Sequence, residues 1–179
     1  MKSNAANDFV KPILVLALIC LVMSATLALI NSVTRPIIED TEAKIAEAAR
    51  MEVLPEADGF NELDIDIPED SSVTAVYEAT NGAGYVFMVT EDGYGGKDTL
   101  NIICSIDGDG NIVDSKTLSH AETAGLGSKI MEDGFKGQFM GMDSSEIENI
   151  DRISGATISS NHYLDGIRAA FEVYETIEK

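Results

Sequence analysis

Cations and cysteines are scarce in this chain, and paired cysteines are missing altogether. Twelve Lys and Arg stand against 31 Asp and Glu, a net charge of −19 at neutral pH. All but one of the acids and all but two of the bases lie beyond residue 30. A portion so negative, without a basic patch, repels phosphate backbones, which argues against nucleic acid as a partner. The acidity itself reads as a solvated surface. The two cysteines, Cys20 and Cys104, form no Cys-x-x-Cys pair, so this chain does not ligate zinc or an iron–sulfur cluster by itself. Cys20 follows Ile19, where a lipoprotein signal carries a small residue, and reads as a small hydrophobe in an apolar run. Cys104, in a strand-like run, reads as core. Internal repeats and low-complexity stretches are absent.

Motifs for several enzyme classes are also missing. Without a Gly-x-Ser-x-Gly elbow, and with no His base beside Gly127-Ser128-Lys129, a hydrolase has no nucleophile. The His120-Ala121-Glu122 element lacks the Pro-Cys-x-x-Cys that a zinc deaminase needs. Residues 107–111, Asp-Gly-Asp-Gly-Asn, suggest a calcium loop, but an EF-hand requires Gly at its sixth position and Glu at its twelfth. Ile112 and Leu118 stand there, so the stretch is a hairpin turn and no metal site is expected. Gly93-Tyr94-Gly95-Gly96 lacks the Gly-x-Gly-x-x-Gly spacing of a dinucleotide fingerprint.

What is present begins with residues 13–30, eighteen uncharged positions rich in Leu, Ile, Val and Ala. At 1.5 Å per residue they reach about 27 Å, close to a bilayer's hydrocarbon thickness. The run exceeds a signal peptide's apolar region of roughly 7–15 residues, and no Ala-x-Ala site closes it, so an uncleaved anchor is expected over 1–31. Lys2 and Lys11 before the span set the N-terminus on the cytoplasmic side of the cell membrane and the remainder outside. Ala17, Ser24, Ala25 and Ala28 would let other membrane subunits approach the helix closely. Pro36 interrupts the pattern and can begin a second helix, with Ile37, Ile38, Thr41, Ile45, Ala48 and Ala49 on one face; the segment reads as a continuation of the anchor into a stalk, ending near Leu54-Pro55. Residues 32–72 are therefore a helical stalk and acidic linker, with 56–72 a surface loop or short strand.

From residue 73 the hydrophobic period falls to two. Residues 73–80 and 85–90 flank Asn81-Gly82-Ala83-Gly84, and 99–106 and 112–118 flank the acidic turn, which predicts two hairpins. Short helical pieces follow at 127–133 and 134–140, with Ile130, Met131, Phe135 and Phe139 turned inward. The last segment, 161–178, places Tyr163, Leu164, Ile167, Ala170, Phe171 and Tyr174 at helical spacing, with Ser159 or Ser160 as N-cap. Just before it, Asp151-Arg152-Ile153-Ser154-Gly155-Ala156-Thr157 combines little bulk with several hydroxyls at a helix N-terminus, where phosphate binds readily. By itself this is a small-residue turn into a capped helix. The fold class is α+β: a transmembrane helix, then a mainly antiparallel sheet with flanking helices over 73–179.

Three stretches taken in order resemble one family. Gly93-Tyr94-Gly95-Gly96, residues 120–127 (His-Ala-Glu-Thr-Ala-Gly-Leu-Gly) and Asp151-x-x-Ser154-Gly155-Ala156-Thr157, behind an anchor, are similar to the covalent FMN-binding domain. That domain occurs in the G subunit of Rnf ion-translocating electron-transport complexes and in the C subunit of the sodium-pumping NADH:quinone reductase. Length favours the Rnf type. Ala124 stands where the family often has Pro, which loosens the loop without removing a functional group.

The resemblance implies FMN joined through its phosphate to the Thr157 hydroxyl by a separate flavin transferase that uses FAD and magnesium. It implies that Glu122, Thr123, Leu126 and Gly127 line the isoalloxazine, with Tyr94 nearby. Ser154, Gly155 and Ala156 would form the attachment turn, and Lys129 would stabilise reduced flavin if it reaches the ring. His120 is a weaker candidate. No residue of this chain turns over substrate by itself; the implied role is an electron carrier among other membrane and redox subunits, coupled to Na+ or H+ movement. The alternatives are a quinone-reductase or other reductase subunit with the same domain, and a non-redox extracytoplasmic assembly module.

Overall fold

A computed structural model describes residues 4–68 and 70–177. Lys2, one of the residues used to orient the anchor, lies outside them, as does Glu178 at the end of the expected last helix. The chain divides into two units, Met1–Lys44 and Ile45–Lys179.

One helix, α1 (Asn4–Val53), runs through both the apolar stretch and the stalk. It is long and apolar enough to cross a membrane, and the side chains of its most apolar stretch are unburied. Thr26 and Ser32 turn back on their own helix: Thr26 donates to the Val22 carbonyl at 2.8 Å and Ser32 to that of Leu29 at 2.8 Å. That satisfies polar groups without water, as lipid requires. Pro36 does not begin a second helix: α1 continues through it to Val53, so the stalk is a continuation of the anchor helix. A proline costs one N–H and crowds one carbonyl, and the turns on either side carry the helix past that defect. The stalk face is covered only toward its end. Ile37, Ile38 and Ile45 are exposed, whereas Ala49 and Val53 are buried.

In the second unit, five strands form an antiparallel sheet in sequential order: β1 (Phe60–Glu62), β2 (Val73–Ala79), β3 (Gly84–Gly93), β4 (Gly96–Asp107) and β5 (Ile112–His120). The two expected hairpins are present and a third turn joins them at residues 94–95, so 73–120 is one continuous meander. Period-two alternation sorts the side chains. Phe87, Val89, Ile102, Cys104 and Ile106 face the cluster that includes Ile130, Phe135, Phe139, Tyr163 and Ile167. Val86 and Ile103 face the other way, against Ala49, Val53, Leu54 and Ala57 at the end of α1. There Ser105 Oγ donates to the Val53 carbonyl at 2.5 Å, pairing an acceptor that the helix end leaves over. Burial pushes the Cys104 thiol up to about 12, which keeps it protonated and inert. The acidic turn is a hairpin: Asp107 Oδ1 accepts from the Asp109 and Asn111 amides at 3.0 and 2.8 Å.

After the sheet come a 3-10 turn (Gly127–Met131), the single-turn α2 (Asp133–Lys136), a second 3-10 turn (Ile147–Asn149) and α3 (Thr157–Ile177). Ile130, Phe135 and Phe139 are buried as expected, but Met131 is 43% exposed because the 3-10 turn rotates it outward. On α3, Tyr163, Leu164, Ile167, Ala170 and Phe171 are buried, and Tyr174 packs edge-on against Tyr85 with ring centroids 5.9 Å apart. The helix begins four residues earlier than its hydrophobic spacing suggests. Ser159 and Ser160 therefore lie in its first turn, both buried, and neither is its N-cap.

Arg168 on α3 pairs with Glu148 at 2.5 Å and with Asp165, holding the second 3-10 turn against the helix. The Arg168 hydrogen bond and charge keep the Glu148 carboxyl below its ordinary 4.5. A carboxyl depressed on folding stabilises above its unfolded value and loses that contribution as pH falls through the lower folded one. Glu148 should therefore titrate below 4.5 by NMR, and move up toward it in Arg168→Ala, where the Arg152 charge still acts. An unmoved titration in that variant would contradict the pairing.

Candidate functional site

Three segments meet at one end of the sheet: the β3–β4 turn, the loop leaving β5, and the first turn of α3. Between them lies a pocket of about 400 Å³ lined by Tyr94, Glu122, Thr123, Leu126, Gly127, Gly155, Ala156, Thr157, Ile158 and Ser159. Tyr94, Leu126 and Ile158 are exposed at 65%, 49% and 52%, large apolar side chains left uncovered at a concave site. Such a site suits a flat, largely apolar ligand with a few polar groups.

Thr157 is the first residue of α3 and is exposed. The first α-helical bond runs from the Ser160 N–H to the Ala156 carbonyl at 3.0 Å. The amides of Thr157, Ile158 and Ser159 precede it and point out of the helix end. A negative group attached at Thr157 would meet those N–H groups and the positive end of the dipole.

The approach to Thr157 is held by side chains more than by regular structure. Gln138 accepts from the Asp151 amide at 2.9 Å and donates to the Asp151 carbonyl at 3.3 Å. Arg152 donates to the Glu148 and Ile150 carbonyls and to Asn161 Oδ1. Ser160 Oγ accepts from the Ile153 amide at 3.1 Å and donates to the Ala156 carbonyl at 2.9 Å. Gly155 takes φ +82°, a left-handed conformation that disfavours a side chain.

Glu122 is the one buried acid here, 8% exposed. Its Oε1 accepts from the Tyr94 amide at 2.9 Å, and its Oε2 from Ser159 Oγ at 2.5 Å. His120 is half-buried, and its Nδ1 accepts from the Glu122 amide at 3.0 Å, which occupies it within the loop.

Of the residues named from sequence, the fold brings Tyr94, Glu122, Thr123, Leu126, Gly127, Gly155, Ala156 and Thr157 to one pocket. Lys129 lies elsewhere, in a neighbouring cleft of about 250 Å³ with Asp151, Arg152 and Gln138, and Ser154 is exposed and lines neither. The pocket also includes Ile158 and gives Ser159 a partner 37 positions away. Ile158 carries no sequence signal. Gln138, which shapes the attachment turn, is likewise invisible in the sequence because it acts through a backbone 13 residues on.

Residues 93–172, which span this pocket, match the FMN-binding domain. Similarity extends over most of the chain to G subunits of ion-translocating complexes. The chain is 31% identical over 182 residues to the G subunit of the ion-translocating oxidoreductase complex of Cereibacter sphaeroides, covering 90% of this chain and 82% of that protein. It is 26% identical over 170 residues to the G subunit of the proton-translocating ferredoxin:NAD(+) oxidoreductase complex of Clostridium ljungdahlii, covering 90% and 89%. It is 29% identical over 193 residues to the G subunit of the Na(+)-translocating ferredoxin:NAD(+) oxidoreductase complex of Acetobacterium woodii, covering 93% and 91%. The chain belongs to the family of G subunits of ion-translocating oxidoreductase complexes.

Proposed function

We propose that this chain is a membrane-anchored electron carrier of an ion-translocating ferredoxin:NAD oxidoreductase complex, with FMN joined through its phosphate to Thr157. The observation that carries the reading is the exposed Thr157 hydroxyl, set at a helix N-terminus on the rim of a pocket with apolar walls. Bound FMN supplies the redox chemistry. The chain supplies the rest: Tyr94, Leu126 and Ile158 offer apolar surface to a ring, and Thr123 offers a hydroxyl to its polar edge. The first amides of α3 meet the phosphate charge, and Gly155 and Ala156 keep bulk away from the linkage.

Attachment would join Thr157 Oγ1 to the flavin-side phosphorus of FAD, breaking the pyrophosphate bond and releasing AMP and the hydroxyl proton. A separate flavin transferase would perform it with magnesium. A tethered flavin cannot be lost on the extracytoplasmic side, for which the N-terminal charges argue, and α1 would pack among the complex's other membrane subunits. Intact mass of the full-length chain, purified from its native host, should show one FMN-sized adduct. An unmodified mass would overturn the covalent assignment.

A further inference from the structure

Glu122 sits in the pocket wall, yet it does more than line it. Its two oxygens each take one hydrogen bond, from the Tyr94 amide and from Ser159 Oγ, so one side chain joins the β3–β4 turn to α3 across the loop that carries it. Both partners donate, which matches the acceptor-only character of an ionised carboxylate. Two glycines make room for it. A Cβ on Gly93 would stand 2.6 Å from Glu122 Oε1 and 2.8 Å from Thr99 Oγ1. A Cβ on Gly127 would collide with Glu122 Oε2 and come within 2.7 Å of Ser159 Oγ. A carboxylate housed and bonded this closely is built into the site, since burying a charge without such partners is costly.

We propose that Glu122 is a positioning residue. Its carboxylate fastens the β3–β4 turn to the first turn of α3, and the charge it keeps in the pocket wall lowers the reduction potential of the flavin beside it. The fastening stands on the structure alone, whereas the effect on potential rests on the flavin reading above. The direction follows from charge. Reduction adds electron density to the ring, a nearby fixed negative charge opposes it, and removing that charge favours the reduced form.

The test uses the full-length chain with Glu122→Gln, Glu122→Ala and Ser159→Ala. Glutamine keeps the shape: its carbonyl can accept from the Tyr94 amide while its amide donates to Ser159 Oγ. Hydrogen exchange at the Tyr94 and Ser160 amides, the two bonded N–H groups at the ends of this link, measured without flavin, should be unchanged in Glu122→Gln and at least about tenfold faster in Glu122→Ala. Ser159→Ala should speed exchange in α3 more than at Tyr94. The flavin-loaded Glu122→Gln chain should have a potential raised by the equivalent of about tenfold in the reduction equilibrium, about 30 mV for a two-electron couple.

Exchange in Glu122→Ala equal to the parent's would overturn the fastening. A potential unchanged or lowered in Glu122→Gln would overturn the charge effect, and if Glu122→Ala does not fold, Glu122→Gln still decides that half. A parent chain that takes up no flavin would overturn the functional reading and the effect on potential together, leaving exchange to decide the fastening.

Discussion

Thr157→Val is expected to abolish covalent flavin outright. Valine reproduces the branched shape of threonine at the first residue of α3, so the helix start and pocket wall keep their form while the oxygen is lost. Denaturing electrophoresis of the full-length chain, co-expressed with a flavin transferase, should give a band fluorescent under ultraviolet light in the parent and none in Thr157→Val. Thr157→Ser keeps the hydroxyl and should keep the band. Ser154→Ala is the informative companion, because Ser154 is also exposed, three residues away, but lies outside the pocket lining. A band that survived in Thr157→Val and vanished in Ser154→Ala would move the linkage to Ser154 and end the assignment to Thr157.

The second large effect lies beneath the site. Tyr163, one and a half turns into α3, is fully buried, packs against Phe135 and Phe139 with ring centroids 5.5 and 5.4 Å away, and donates to Ser115 Oγ at 2.9 Å. Burial raises its hydroxyl pKa well above the ordinary phenol value, so it remains a donor throughout the physiological range. Tyr163→Ala should cost roughly 3–5 kcal/mol, as other large-to-small aromatic deletions do. That is a large part of a domain's usual stability of about 5–15 kcal/mol. Tyr163→Phe keeps the ring and leaves Ser115 without its donor, so about 1–3 kcal/mol is expected. Denaturant unfolding of the detergent-solubilised chain distinguishes the two. Equal losses in both variants would mean that the hydrogen bond, and not the packing, anchors α3.

Much of the architecture was legible because it rests on local pattern. The apolar run of 13–30, the period-two alternation from residue 73 and the helical spacing from Tyr163 to Tyr174 each arise from neighbours in the chain. The hairpin at 107–111 was legible for the same reason, since Asp107 bonds amides only two and four residues on. Element boundaries were less so. α1 passes through Pro36, which as a single residue reads as a break, and α3 begins at Thr157, ahead of the first residue with a hydrophobic signature.

By itself, the sequence determined that an apolar helix precedes an acidic α+β domain, that its strands form hairpins, and that Thr157 lies in a stretch of small residues just ahead of the final helix. Its ordered motifs also pointed to the flavin family. Only the tertiary structure decided which of those residues share a pocket: Thr123, Leu126 and Thr157 do, while Lys129 faces a separate cleft. It also turned Ser159 from an expected cap into the buried partner of Glu122, 37 residues away. The physical reason is range. Periodicity and turn chemistry act over a few residues, whereas a buried carboxylate finds its donors only after sheet and helix have closed around it.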